Sequence, residues 1–378
     1  MRYLYFTLFF VFLFQCSYSQ GSVLLVGGGS ENYSDWSDIP YGWLVNHAPN
    51  KKILILHYST LSTFLPDYFK SLGASQAVST AISSATANDS ATYRMILEYD
   101  GIFLRGGDQW EYVKQWNGTL TEEAITKVFQ RGGAIGGTSA GAMVLSKFIA
   151  DAGTTSVDPR TSIRTPLTAG ISFTNDFLGF IPGILCDTHF YERGRLARLL
   201  AMQAVHYKIS GTWFTGVGID DATALGVSSN GSAEVFGSGV VSFVVPNKNT
   251  TAAVTAGKPL GLSDMTLRQY TKGAVIQLPA ATNISAPTMS AYQALPFSSV
   301  QKNIVLDGSS VTADWSTVSG SLNAFINRAG NDTIEILTSA PANIQINDIR
   351  SFLSAHNVST SVTVVSPAQR QSADFAKL

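Results

Sequence analysis

The alternation of short apolar segments with helical stretches constrains the fold of this chain most. Between residues 22 and 227, runs of four or five mainly apolar residues are separated by longer segments such as the helical stretch Glu122–Arg131. Short apolar strands between helices are typical of a mainly parallel sheet with both faces covered by helices. We therefore predict an α/β fold with strands at Val23–Val26, Ile53–His57, Gly101–Leu104, Ala134–Gly137 and Gly183–Cys186.

The pattern changes after residue 223. A turn at Ser229–Ser232 separates two short strand-like runs and predicts a β-hairpin that extends the sheet within Ala224–Val245. Residues 278–287 are rich in Ala, Pro, Ser and Thr and are typical of a linker. Beyond it, a βαβ-like unit of unknown role is predicted from Thr333–Leu337, Ile346–His356 and Ser361–Val365. We expect a main domain at 20–280 and a smaller C-terminal α/β extension at 281–378.

A serine stands at a sharp corner after one predicted strand. Residues 136–142 read Gly-Gly-Thr-Ser-Ala-Gly-Ala, and a helix-forming run follows. A G-x-S-x-G turn needs small neighbours because the backbone bends sharply to expose the hydroxyl. Ser139 is therefore a candidate nucleophile, and the Ala140 amide at the helix N-terminus is a candidate donor to an oxyanion. The same pentapeptide also fits a Gly-rich turn without chemistry.

A serine needs a base before it becomes a good nucleophile, and the chain has five histidines. His189 is the best candidate because it follows the predicted strand Gly183–Cys186 at another strand-to-helix corner. His57 ends a strand and is a reserve candidate at the sheet edge where open α/β sheets bind ligands. The other three lie in loop or helix-end contexts more typical of packed or surface histidines: His47, His206 and His356.

Four motifs in order resemble cyanophycinase and its relatives, the serine exopeptidases grouped with aspartyl dipeptidase. They are Gly106-Gly107-Asp108-Gln109, the Gly-Thr-Ser-Ala-Gly turn, Asp-x-His-Phe-x-x-Arg-Gly-Arg-x-x-Arg-Leu from Asp187, and Gly218-Ile219-Asp220-Asp221. The resemblance covers roughly residues 22–278. It implies a fold like that of class I glutamine amidotransferases and a hydrolase with Ser139 as nucleophile and His189 as base.

The resemblance also implies roles for other residues. It places the third catalytic residue on Asp221, where cyanophycinases usually have Glu, although Asp220 or Asp221 alternatively caps a turn. The oxyanion is expected between the amides of Gly107 and Ala140. Residues matching those that recognise a β-aspartyl-arginine unit are Gln109, Asp187, Thr188, Arg193, Arg195 and Arg198. Thr188 replaces a common Gln, which puts cyanophycin itself in doubt more than peptide hydrolysis.

Three guanidiniums near a catalytic histidine suit a substrate that carries carboxylates, because their planar forks match carboxylates bidentately. The alternative is a solvated basic helix face. Two other functions stay open: an inactive extracellular binding protein on the same fold, and a secreted esterase. We expect a peptide or isopeptide substrate, and the sequence leaves a homodimer open.

The N-terminus predicts secretion. Arg2 precedes an apolar run from Leu4 to Phe14 that is too short to span a bilayer, and small residues then precede Gln20. We interpret residues 1–19 as a signal peptide of a secreted or periplasmic protein. Cys16 is an alternative lipid attachment site, but Gln15 is bulkier than such sites prefer. After cleavage only Cys186 remains, so no internal disulfide is expected.

Composition and motifs argue against several other classes. A net charge of −1 with 13% charged residues lacks the basic field of nucleic-acid binding proteins. The glycines at 27–29 lack the G-x-G-x-x-G spacing of dinucleotide sites, and no metal-binding spacing of His and Cys occurs. We expect no cofactor, no metal and, after residue 20, no membrane-spanning helix.

Overall fold

The computed structural model describes residues 21–278 and three strands at 305–307, 334–337 and 362–365. The predicted signal peptide and the predicted helix Ile346–His356 lie outside the described residues. The chain forms two compact units, Met1–Ser290 and Ala291–Leu378. The boundary expected between residues 280 and 281 stays a prediction.

The first unit contains eight α-helices among its described residues, with one short 3-10 turn at Pro166–Thr168. The helices are α1 (Asp38–His47), α2 (Leu65–Ser71), α3 (Ser90–Leu97), α4 (Gln109–Trp116), α5 (Leu120–Gln130), α6 (Ala140–Met143), α7 (Pro159–Arg164) and α8 (Leu196–Ser210). The first strands are β1 (Ser22–Val26), β2 (Lys52–His57), β3 (Gln76–Ala81), β4 (Gly101–Leu104), β5 (Ala134–Thr138), β6 (Ser146–Ala150), β7 (Phe173–Thr174) and β8 (Ile181–Thr188). The later strands of this unit are β9 (Thr215–Ile219), β10 (Thr223–Val227), β11 (Ser232–Gly237), β12 (Val241–Val245), β13 (Thr251–Ala253), β14 (Gly261–Ser263), β15 (Thr266–Tyr270) and β16 (Val275–Gln277).

An eight-stranded sheet forms the centre of the first unit, in the order β16-β11-β10-β1-β5-β4-β2-β3. Five neighbouring strands of this sheet are parallel to one another: β1, β5, β4, β2 and β3. On the other side of β1, the strands β10, β11 and β16 form antiparallel pairs. The α/β fold is therefore confirmed, and the predicted hairpin does extend the sheet. Residues 228–232 make its turn, in which the Gly231 amide donates to the Ser228 carbonyl at 2.9 Å.

The single sheet of the prediction is in fact two sheets. The predicted strand at 183–186 belongs to β8, which lies in a second, six-stranded sheet of order β15-β12-β9-β8-β6-β7. Only the β6-β8 and β8-β9 pairs in it are parallel. Apolar runs predict strands but carry no information about which sheet a strand joins, so this division was not foreseeable from the pattern.

Both faces of the first sheet are buried, as the near-continuous apolar strands require. Along β1, Val23 and Leu25 pack into one core cluster, whereas Leu24 and Val26 pack into another on the opposite face. Successive side chains of a strand point to opposite faces, so this division shows that helices cover both sides. The strand β1 therefore lies in the middle of the sheet with both of its faces buried.

The described strands of the second unit are β17 (Val305–Asp307), β18 (Ile334–Leu337) and β19 (Val362–Val365), which pair in parallel in that order. The parallel pairing of β18 with β19 agrees with the predicted βαβ-like unit. β17 was not predicted. No helix within the described part of the chain combines the length and apolar character needed to cross a membrane.

Candidate active site

Ser139 lies at a strained corner between β5 and α6. Its backbone has φ 53° and ψ −123°, a conformation that residues with a side chain rarely adopt. A Cβ on Gly137 would stand 2.4 Å from backbone atoms of Gly141, and one on Gly141 would stand 2.2 Å from the Leu104 carbonyl oxygen. The two glycines flanking the serine are therefore required by close packing of main chain, as the G-x-S-x-G pattern predicts.

The hydroxyl, one imidazole and one carboxylate form a continuous relay. Ser139 Oγ lies 2.7 Å from His189 Nε2, and His189 Nδ1 lies 2.5 Å from Asp221 Oδ1. The carboxylate accepts from Nδ1–H, which leaves the Nε2 lone pair facing the serine hydroxyl. The His189 side chain is 14% exposed and that of Asp221 33% exposed, so the relay borders solvent.

The chain segment at 26–28 holds the main chain of all three corners. Its three carbonyl groups accept, in order, from the amides of Ser139 at 3.0 Å, His189 at 2.9 Å and Ala222 at 2.9 Å. A Cβ on Gly28 would stand 2.2 Å from the His189 ring and 2.5 Å from Asp221 Oδ1, so this backbone lies directly against the relay. The glycines after β1 thus let the main chain approach the site.

Asp220 and Asp221 have different roles. The Asp220 carboxylate accepts from the backbone amides of Tyr191 at 3.0 Å and Val240 at 2.9 Å. The Glu192 carboxylate accepts from the Asp221 amide at 3.0 Å. These bonds fasten the Asp221 loop to the segment after His189, and the shorter Asp side chain still reaches the imidazole. Nothing in the sequence singled out Glu192.

The electrostatic environment favours a neutral His189. Burial lowers the pKa of its imidazole most, and the positive charges of Arg193 and Arg195 lower that pKa further. The Asp221 carboxylate opposes both effects and raises the pKa. The net pKa lies below the ordinary value of 6.5, so the ring is neutral and able to accept a proton at neutral pH.

Two backbone N–H groups near Ser139 have no protein acceptor among the described residues. Among residues 21–278, neither Gly107 nor Ala140 donates its amide to another protein group. Gly106 lies so near that a Cβ on it would stand 3.3 Å from Ser139 Cβ. The predicted oxyanion site at these amides stays a prediction, with this geometry in its favour.

Asp187, Arg195 and Arg198 form a buried network instead of an exposed basic face. Asp187 is 0% exposed, and Arg198 Nε and Arg195 Nη1 lie 2.8 and 3.2 Å from its two carboxylate oxygens. Arg195 also donates to the Thr188 carbonyl at 2.6 Å. The pKa of Arg195 is lowered to about 10, mainly by burial, although the Asp187 carboxylate opposes this lowering. The solvated-face alternative is therefore wrong for these two arginines.

The remaining predicted substrate residues differ in accessibility. Arg193 is exposed, and within the described chain its guanidinium makes no ion pair with a carboxylate. Gln109 donates to the Ala150 carbonyl at 3.1 Å and lines a small cleft together with Arg198. Thr188 is fully buried, and its hydroxyl has no hydrogen-bond partner in the described structure. Their contacts with a substrate stay predictions.

The other histidines that the structure describes take no part in the relay. His47 stacks on Trp43, and His206 packs among aromatic rings including Phe214. His57 is buried at the end of β2 beside Gly107. His356 lies outside the described residues. Cys186 is buried, which raises the pKa of its thiol, and no group of three or more His, Cys, Asp or Glu in the described chain is arranged for a metal.

Comparison with known proteins connects this geometry to a family. The family model described as Peptidase family S51 matches residues 45–235. A cyanophycinase of Synechococcus elongatus is 32% identical over 177 residues, which cover 46% of this chain and 51% of that protein. A cyanophycinase of Trichormus variabilis is 29% identical over 214 residues, covering 54% and 66%. One of Geminocystis herdmanii is 26% identical over 260 residues, covering 66% and 91%.

The chain thus spans about half the length of the Synechococcus elongatus relative. A solved peptidase from an acI-B1 Actinobacterium aligns with 68% of this chain and 97% of its own, with 20% identity and a TM-score of 0.48. The family match covers the relay residues Ser139, His189 and Asp221.

Proposed function

The chain belongs to peptidase family S51, and we propose that it is a secreted serine-type exopeptidase that acts through an acyl-enzyme on Ser139. The observation that carries the proposal is the relay from Ser139 Oγ through His189 to Asp221, with distances of 2.7 and 2.5 Å. Nucleophile, base and orienting carboxylate within hydrogen-bond reach are the requirements of this chemistry.

The proposed reaction has two halves. Ser139 Oγ attacks the substrate carbonyl carbon while His189 Nε2 takes the hydroxyl proton. The C–N bond then breaks, and His189 returns that proton to the leaving amine, so an ester on Ser139 remains. Water attacks the ester with His189 again as base, which releases the acid and restores the serine hydroxyl. Asp221 keeps the imidazole in the tautomer that both halves need.

The substrate we propose is a peptide or β-aspartyl isopeptide with a free carboxylate, of the β-aspartyl-arginine kind. Its support is the exposed Arg193, whose charge acts on the imidazole and which no carboxylate among the described residues neutralises. The relatives named cyanophycinase support a β-aspartyl linkage. Arg195 and Arg198 both bind the buried Asp187 carboxylate. Arg193 is therefore the stronger candidate for contact with a substrate carboxylate.

A fluorophosphonate probe tests the nucleophile. We expect the mature protein to be labelled, and Ser139→Ala to lose labelling and at least about 10⁴-fold in hydrolysis of β-aspartyl dipeptides, detected by mass. Ser90→Ala, at an exposed serine of α3, is the matched control and should behave as wild type. Folded wild-type protein that neither reacts with the probe nor cleaves any peptide would instead support the inactive binding protein. Faster cleavage of esters than of all peptides would favour the esterase.

A further inference from the structure

His57 and Tyr58 enclose the turn that carries the Gly107 amide. A Cβ on Gly107 would stand 2.6 Å from the Tyr58 hydroxyl and 2.9 Å from His57 Nε2. The two rings stack, with centroids 4.0 Å apart and planes 30° apart. His57 is only 6% exposed. A buried imidazole this close to the proposed oxyanion site is not used by the Ser139 relay.

The hydrogen bonds of His57 determine which ring nitrogen carries its proton. The backbone amides of Ser59 and Thr60 lie 3.1 and 3.0 Å from Nδ1. A backbone N–H only donates, so Nδ1 accepts from both and the proton of the neutral ring is on Nε2. Burial lowers the pKa of this imidazole most, and a hydrogen-bonding interaction with the Gly106 backbone opposes that lowering. The backbone acceptor of that residue is its carbonyl, so the Nε2–H side of the ring is directed to the Gly106 carbonyl. The ring therefore connects the loop after β2 with the Gly106-Gly107 peptide.

Neighbouring side chains fix the rest of the same turn. The Tyr112 hydroxyl donates to the Arg105 carbonyl at 2.7 Å, and the Tyr58 hydroxyl accepts from the Asp108 amide at 2.9 Å. Within residues 21–278 the Gly107 N–H is left without a protein acceptor. One donor in a turn held on both sides is thus available to a ligand.

Peptide geometry gives the direction of that donor. The bond between Gly106 and Gly107 is trans, and in a planar trans peptide the C=O and the following N–H point in opposite directions. The Gly106 carbonyl faces His57, so the Gly107 N–H points away from His57. Gly106 itself lies against Ser139.

We propose that His57 is a positioning residue, which by holding the Gly106 carbonyl aims the Gly107 N–H at the oxyanion formed when Ser139 attacks its substrate. The inference rests on the proposed function. It assigns His57 a role in the transition state alone, because the negative charge on that oxygen develops only there. Loss of the role should therefore lower kcat and leave KM nearly unchanged.

Two variants test the hydrogen-bonding functions of the two His57 ring nitrogens separately. His57→Asn places an amide oxygen near the position of Nδ1 and keeps an acceptor for Ser59 and Thr60, but it is too short to reach Gly106. His57→Gln places an amide nitrogen near the position of Nε2 and keeps the donor. We expect His57→Asn to lose on the order of 10²-fold in kcat with KM within about threefold. We expect His57→Gln to recover at least about tenfold of that loss.

Steady-state kinetics on a β-aspartyl dipeptide, fluorophosphonate labelling rates and thermal unfolding midpoints provide the readouts. A kcat of His57→Asn within about threefold of wild type, or equal losses in the two variants, would overturn the inference. Where His57→Asn does not fold, His57→Gln is compared with His57→Leu, which has no donor at the position of Nε2: a kcat at least about tenfold higher in His57→Gln supports the role, and equal values overturn it. An unreactive wild type would overturn the proposed function itself, and this inference with it.

Discussion

Two carboxylates close to the Ser139 corner have opposite surroundings. Asp221 is one-third exposed and binds a single imidazole, whereas Asp187 is fully buried and binds two guanidiniums. Asp187 precedes His189 by two residues, so a buried network and a solvent-bordering relay meet at the end of one strand. Removing one partner from a buried pair leaves an uncompensated charge, whereas a pair that borders solvent contributes little to stability. The motif that begins at Asp187 therefore contributes both a buried ion-pair network and the imidazole of the proposed relay.

The largest effect that we expect is a loss of activity at Asp221, the carboxylate that borders solvent. We expect Asp221→Asn to lower kcat by up to about 10⁴-fold, the loss seen for the corresponding change in the chymotrypsin triad, because an amide no longer selects the productive tautomer. Asp220→Asn is the matched control, since Asp220 binds backbone amides only, and its kcat should stay within about tenfold of wild type. Steady-state kinetics check the ranking, and the reverse order would transfer the role to Asp220.

At Asp187, the buried carboxylate, we expect a substitution to lower the stability of the protein. We expect Asp187→Asn to reduce the free energy of unfolding by about 3 to 5 kcal/mol, because Arg195 and Arg198 then remain buried without their counter-charge. Urea denaturation followed by circular dichroism measures this. Asp67→Asn removes an exposed carboxylate, 73% exposed and paired with Lys70, and should change stability by no more than about 0.5 kcal/mol. Equal effects of the two changes would contradict the scaffold role.

Arg193 is exposed, unlike the buried Arg195 and Arg198, and its substitution tests a role in substrate binding. We expect Arg193→Gln to lower kcat/KM for substrates with a free carboxylate by about 10- to 100-fold, the worth of one hydrogen bond between charged groups. Amidated substrates and the unfolding midpoint should change little. Lys208→Gln, at an exposed cation near the end of α8, is the control for general charge effects. An equal loss on charged and neutral substrates would remove Arg193 from substrate recognition.

The smallest expected effect is a displacement of the pH profile. His189 must be neutral to take the Ser139 proton, so kcat/KM should fall as pH decreases through the His189 pKa, which lies below 6.5. Arg193 lowers that pKa, so Arg193→Gln should move the acid limb to higher pH. Asp221 raises it, so residual activity of Asp221→Asn should have its acid limb at lower pH. Profiles of kcat/KM from about pH 4 to about 9 measure both directions, and unmoved limbs would exclude His189 as the titrating base.

Local patterns predicted what depends on neighbours in sequence. The Ser139 turn, the parallel strands and the hairpin after residue 223 follow from small residues at a corner and from apolar runs, and the structure confirms them. The division into two sheets and the burial of Arg195 and Arg198 depend on contacts between distant segments. Charged residues spaced three apart on a helix share a face, but spacing does not reveal whether that face meets solvent or a buried carboxylate.

The His57 role was beyond sequence reasoning for the same reason. A histidine at a strand end predicted a place near the site. Its partner Gly106 follows β4, the strand that pairs with β2, but no recognisable motif around His57 indicated that contact. Only the folding of the chain brings the imidazole against the Gly106-Gly107 peptide. Sequence patterns predicted the groups of the proposed reaction, and the three-dimensional contacts show which residues surround them.

The three hydrogen bonds from residues 26–28 also bear on how the specificity of the proposed enzyme could diversify. The corners of Ser139, His189 and Ala222 are tied to one stretch of main chain, and these three main-chain hydrogen bonds do not require particular side chains around the cleft. Substitutions that alter the preferred substrate can accumulate on the surrounding loops while Ser139, His189 and Asp221 keep their relative positions. Natural selection or protein engineering could then change the specificity of the proposed enzyme while this main-chain frame is kept, provided that residue 28 stays glycine.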